Sequence, residues 1–181
     1  MLASFSQTDL RMLISENFIT FLLLGGLLVV MYAYRDAHLP ATRNFLFIII
    51  VLFLMSAANS LERWAVLSPD RRDMRIAMSV LHYCLQPCVI WLELAIIIPR
   101  KGPQYRVKFL LFSLPLLLNT IIYLIAPWTG ELVFWYREDY TFCRGPLGYS
   151  IYIVTFFYLI LLITSSVFFL RKKDRRKANV I

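Results

Sequence analysis

Five long apolar runs, at about residues 18–34, 45–61, 76–98, 109–126 and 149–170, constrain this chain more than any other feature. Crossing the hydrocarbon core of a bilayer takes ~20 such residues as a helix. Inside lipid the backbone must satisfy its own hydrogen bonds, which leaves helices or closed barrels. The runs lack the alternation of barrel strands, so the expected class is all-α: an integral membrane helical bundle of five transmembrane helices. The chain is 60% hydrophobic, against roughly 45–50% in soluble domains, and the excess sits in these runs. With no internal repeat or soluble linker, residues 1–181 read as a single transmembrane domain.

The net charge of +8 is placed at the ends of the runs. The connections 35–44 and 99–108 and the tail after 170 hold 12 of the 19 Lys and Arg residues. The other side, formed by the first residues, the connection near 62–75 and the segment 127–149, holds 7. The cytoplasmic preference of basic residues then puts the amino terminus outside and the carboxyl terminus in the cytoplasm. Arg63, Arg71, Arg72 and Arg75 run against this trend. No stacking platform interleaves the basic residues, so nucleic acid is excluded as a partner. The amino-terminal segment lacks the basic start and small-residue cleavage site of a signal peptide. Cys84 and Cys88 lie inside a run and read as small core residues. Cys143 stands alone, either free or available for pairing between chains.

Polar residues within the runs are the candidate site. His82, Gln86 and Glu93 fall within about 40° of one another at ~100° per residue. An ionisable side chain facing lipid costs several kcal/mol, so this face is expected to look inward or into a wet cavity. Asn59, His82, Gln86 and Asn119, with Tyr149, Tyr152 and Thr155 at the start of the fifth run, come from four helices at similar depth. They suggest an outward-opening pocket, with segment 134–149 and its Arg144 as lid. The candidate ligand-binding residues are therefore Asn59, His82, Gln86, Asn119, Arg144, Tyr149 and Tyr152. The alternative is that these side chains only join helices, at about 0.6 kcal/mol each.

Other residues carry paired readings too. Glu93 is expected to pair with Arg100 or Lys101. Pro87 and Pro115 are expected to kink their helices. Trp128, Trp135, Tyr136 and Tyr140 fit an interfacial aromatic belt, and Arg137 or Arg144 could bind an external anion. The tail 171–177, RKKDRRK, fits a topology anchor that attracts anionic lipid. No phosphate loop, HExxH, GxSxG or carboxylate pair is present, so no catalytic residue, cofactor or metal is assigned. His82 and Glu93 could hold a metal only with ligands from other spans.

The stretch Phe142-Cys143-Arg144-Gly145-Pro146-Leu147-Gly148-Tyr149, entering a Tyr-rich span, resembles the membrane region of bacterial GGDEF-type diguanylate cyclases, especially those of Firmicutes. Asn119, the stretch from His82 to Pro87 and that from Asn59 to Glu62 share the likeness. The resemblance implies a seven-span sensor whose last span leads to a cytoplasmic domain making cyclic di-GMP. The basic segment after 170 would then be the connection to a sixth span. No GGDEF motif occurs in these 181 residues, and the resemblance supplies no ligand. The expected function is a sensory module in a bacterial cytoplasmic membrane. Its implied partners are the lipid bilayer, an unidentified small-molecule signal and a second copy of the chain. A small transporter and a structural or assembly subunit are the rival readings; the missing inverted repeat weighs against the first.

Overall fold

Runs of Leu, Ile, Val and Phe can shield their backbone from lipid by bonding it along a helix, and this chain is mostly helical. The computed structural model describes residues 7–33, 40–66, 69–97 and 105–178. Helix α1 (Gln7–Ala33) is followed by α2 (Pro40–Val66), a 3-10 turn at Pro69–Arg71 and α3 (Arg72–Ile97). Then come α4 (Tyr105–Leu124), the short α5 (Ala126–Thr129) and a second 3-10 turn at Gly130–Leu132. Strands β1 (Phe134–Tyr136) and β2 (Phe142–Arg144), a third turn at Pro146–Tyr149 and α6 (Ser150–Ala178) complete the order.

Three stretches are long and apolar enough to cross a membrane: Arg43–Val66, Arg72–Ile96 and Pro146–Phe168. A fourth is available if Phe109–Leu124 and Ala126–Leu132, which meet at a 50° bend, act as one broken span. The apolar part of α1, Phe18–Ala33, is shorter. The fourth run thus breaks just before its expected end at 126. Pro127 has no N–H to continue α4, and it sits in the first turn of α5, where none is needed. Pro87 and Pro115, by contrast, lie inside helices that continue past them.

Helix α3 is the centre of the bundle, packing against α2, α4 and α6, while α1 packs on α2. Phe21 of α1 meets Phe53 of α2 with ring centroids 5.1 Å apart. Buried Val80, Tyr123, Ala126, Val133, Phe134, Tyr136 and Ile151 form one hydrophobic cluster. It sits where α3, α4, α6 and the strands meet, at one end of the bundle. Further along α4, Leu110, Leu114, Leu117 and Ile121 recur at helical spacing and are exposed, the pattern of a face turned away from the core.

The segment 134–149, expected from the sequence as a loop in an all-α chain, contains a two-stranded antiparallel hairpin. Phe134 pairs with Arg144, Trp135 with Cys143 and Tyr136 with Phe142. Its turn closes with the Arg137 amide donating to the Thr141 carbonyl at 3.1 Å and the Tyr140 amide to the Arg137 carbonyl at 3.0 Å. Tyr140 takes the left-handed position of this three-residue loop, with φ 63°. Asp139 stiffens it, accepting from the Thr141 amide at 3.0 Å and hydroxyl at 2.7 Å.

A hairpin this short has little stability alone. Two glycines let it dock. The Gly145 amide donates to the Val133 carbonyl at 2.9 Å. A Cβ at Gly145 would strike the Glu131 carbonyl oxygen and lie 2.5 Å from that of Leu132. One at Gly148 would strike the Val133 carbonyl oxygen. The RGPLG stretch therefore lies directly on the 131–133 backbone, where a side chain cannot fit.

Candidate functional site

Docking of the hairpin on the helix ends is done largely by arginine. Arg72 donates to the Tyr136 carbonyl at 3.4 Å, and Arg75 to the Tyr140 carbonyl at 2.7 Å. The Arg75 guanidinium also lies 3.8 Å from the centre of the Tyr136 ring. Arg71 stacks on Trp64 at 3.6 Å. Such cation–π contacts contribute ~0.5–2 kcal/mol each, according to exposure. The buried Tyr136 hydroxyl donates to Glu62 Oε1 at 3.1 Å and lies 2.7 Å from Ser79 Oγ, which joins α2, α3 and β1. Burial pushes the Tyr136 phenol above its ordinary pKa and outweighs the opposing Ser79 hydrogen bond. The phenol thus keeps its proton and remains a donor to Glu62. Asp139 is held below the usual carboxylate range by the two bonds from Thr141.

One turn beyond Ser79, Arg144 ties the hairpin to Tyr83 of α3 and to the turn that leads into α6. Its Nη1 donates to the Gly148 carbonyl at 3.2 Å and its Nη2 to the Tyr83 hydroxyl at 3.1 Å. The guanidinium carbon lies 4.7 Å from the Tyr152 ring centre, 5.2 Å from Tyr83, 5.3 Å from Phe142 and 5.9 Å from Tyr149. The cation is thus held by rings and neutral oxygens. Tyr123 adds a second donor to the Gly148 carbonyl at 2.7 Å. One arginine thereby links the hairpin, α3 and the start of α6.

The seven candidate residues fall into two groups. Tyr149 and Tyr152 come together around the Arg144 guanidinium, which Tyr83 also meets. Asn119, wholly buried, joins them one step away. Its amide donates to the Tyr83 carbonyl at 3.3 Å and its Oδ1 accepts from Ser150 Oγ at 3.0 Å. Both ends of Asn119 are thus used in joining α3, α4 and α6. The second group lies toward α2. Asn59 is three residues before Glu62, while His82 and Gln86 are three and seven after Ser79; at ~100° per residue they share the faces that Tyr136 bridges. All three are half-buried. His82 touches the first group through its ring, edge-on to Tyr83 at 5.7 Å, and its Nδ1 is enclosed without a hydrogen-bond partner among the described residues. Thr155 Oγ1 is enclosed in the same way.

Apart from Ser79, the most buried residues of α3 include Val80, Pro87 and Leu94. These three share a face rotated roughly 120° from the one chosen by polarity, at 100° per residue, while His82, Gln86 and Glu93 are only half-buried. The expected partners of Glu93, Arg100 and Lys101, lie outside the described residues. In the expected aromatic belt, Trp128 and Tyr140 are exposed, but Tyr136 is buried in the helix–hairpin junction. Among the described residues, no group of three or more His, Cys, Asp or Glu side chains is placed to hold a metal ion.

Two tyrosines that the sequence reading passed over are structural hubs. Tyr83 is the first. The second is Tyr158, wholly buried on α6. Its hydroxyl accepts from the Leu116 amide at 3.2 Å and donates to the Phe112 carbonyl at 2.5 Å. Leu116 and Phe112 are the donor and acceptor of one helical i→i−4 bond, at the turn disturbed by Pro115. The phenol oxygen thus contacts both partners of that bond, the position from which an inserted side chain distorts a helix. The signal was available: a proline within an apolar run creates unpaired backbone groups that some neighbouring polar side chain must meet.

Comparison with known proteins finds no matching protein family, no similar curated protein and no similar solved structure.

Proposed function

We propose that this chain is a multi-pass membrane module that detects an extracytoplasmic or membrane-borne signal and relays it by helix movement to a cytoplasmic output. In this reading all five apolar helices cross a bacterial cytoplasmic membrane, with the amino terminus outside. Three of the four arginines near residues 63–75 that oppose that orientation by charge count are engaged within the protein: Arg71 by the Trp64 ring of α2, and Arg72 and Arg75 by hairpin carbonyls. An output such as a diguanylate cyclase domain is the expectation from the resemblance of the RGPLGY region.

The observation that carries the reading is the Arg144 junction. Through hydrogen bonds to Tyr83 and Gly148 and contacts with the Tyr83, Tyr149 and Tyr152 rings, one hairpin side chain holds α3, the turn before α6 and the first residues of α6. A ligand or force that shifts the hairpin would therefore move or release the adjoining ends of these helices, and α6 carries the basic segment 171–177 in its last turns. The rival reading as an assembly subunit is favoured by Asn119, whose amide nitrogen and oxygen each bond a neighbouring helix inside the bundle.

Hydrogen exchange of the full chain in lipid nanodiscs, wild type against Arg144→Gln, separates the two. The relay predicts faster exchange extending to residues 161–168 in the far half of α6. Faster exchange confined to the hairpin and the first turn of α6 would refute the relay and leave a static assembly role.

A further inference from the structure

At the end of the bundle remote from the hairpin, α2, α3 and α4 leave a cleft of about 410 Å³. It is lined by Arg43, Asn44, Phe47, Trp91, Leu92, Ala95 and Phe109. None of these belongs to the Arg144 junction or to the seven candidate residues.

The depth of the cleft follows from where the apolar stretches end. Arg43 begins the stretch Arg43–Val66, Phe109 begins Phe109–Leu124, and Trp91 and Ala95 lie in the last two turns of Arg72–Ile96. Three helices thus change from apolar to polar around the cleft, which places it at headgroup level on that face. Its walls change character in the same direction. Phe47, Leu92 and the Trp91–Phe109 pair, with ring centroids 5.1 Å apart, offer an apolar lining. The exposed Arg43 and the buried amide of Asn44 form the polar end. An indole at this depth suits a glycerol or ester region, since it is apolar with one donor. A guanidinium suits a phosphate, which it can bind through two parallel N–H bonds. Among the described residues, no acid lines the cleft.

We infer that this cleft binds one anionic glycerophospholipid, its phosphate against Arg43 and its upper acyl chain along Phe47, Leu92 and Phe109. The inference rests on the membrane placement of the helices and is independent of the signalling role. Basic pockets between membrane helices on the cytoplasmic side are suited to anionic headgroups, so the site would lie in the cytoplasmic leaflet.

Native mass spectrometry of the full chain released from detergent, titrated with phosphatidylglycerol or with phosphatidylcholine of the same acyl chains, tests it. One phosphatidylglycerol should bind in preference to phosphatidylcholine, and Arg43→Gln should weaken it about fivefold, the contribution of one basic residue near an anionic lipid. Arg137→Gln, an exposed substitution on the hairpin at the other end, should leave binding unchanged. Inorganic phosphate at millimolar concentration should not displace the lipid; displacement would assign the cleft to a soluble anion and overturn the lipid reading. Equal retention of both lipids, or phosphatidylglycerol binding unaffected by Arg43→Gln, would also overturn it. Because Arg43 is exposed, its loss should leave the melting temperature unchanged, so weaker binding cannot be mistaken for unfolding.

Discussion

Removing the Tyr158 hydroxyl gives the sharpest test of how the bundle is held together. In Tyr158→Phe, the Leu116 amide and the Phe112 carbonyl both lose a partner, at 3.2 and 2.5 Å respectively. An orphaned buried group costs about 1–3 kcal/mol. Side-chain hydrogen bonds in membrane proteins average nearer 0.6 kcal/mol, because freed groups find other partners. Here the natural alternative is for Leu116 and Phe112 to bond each other, and the Pro115 ring, which crowds the preceding turn, opposes that closure. The cost of Tyr158→Phe should therefore lie near the middle of the range, about 2 kcal/mol. In a Pro115→Ala background the helix can close and the same substitution should cost about 0.6 kcal/mol or less. A double-mutant cycle, read from denaturant unfolding of detergent-solubilised protein, should thus give a coupling of about 1–1.5 kcal/mol. Equal costs in the two backgrounds would refute the inserted-hydroxyl account. So would a cost under about 0.5 kcal/mol in the wild-type background, which would make the hydroxyl dispensable.

Gly145→Ala should undock the hairpin at a cost of about 3 kcal/mol, because the new methyl meets backbone rather than movable side chains; proteolysis at 137–141 should accelerate accordingly. Tyr140→Gly should stabilise the turn by about 1 kcal/mol, since the left-handed φ of 63° is strained for tyrosine, and slower exchange of the Thr141 amide would register the gain. The Asp139 carboxyl is depressed in the folded turn from an ordinary value of 3.8. Its contribution is therefore fully present above that value and is lost as pH falls through the lower folded pKa. Thr141 amide protection should be flat from neutral pH to about 5, fall below about 4, and lose this acid step in Asp139→Asn.

Much of the architecture was legible in the sequence because lipid leaves a helix few alternatives. Apolar runs without charge specify helices from composition alone, and four of the expected runs coincide with a long helix or a broken one. The RGPLGY stretch was legible as a special turn, since adjacent Gly and Pro residues restrict the backbone locally. Arg144 could be singled out because a cation between two spans requires partners. What those partners would be was not legible. Polarity pointed to His82 and Gln86 on α3, whereas the residue Arg144 meets is Tyr83, which lies about 60–100° around the helix from them. Asn119 was found, but whether its amide faces a ligand or its own helices depends on Tyr83 and Ser150, which are 36 and 31 residues away in the chain. The hairpin is likewise a tertiary decision. Its strands of three residues have little preference of their own, and their register exists because Arg72, Arg75 and Ser79 bind it from α3. The sequence by itself determined which segments leave water, since that depends on the solvation of each run. Only the tertiary structure decided which polar groups pair, because a buried donor bonds to whichever oxygen the packing of the helices brings within reach.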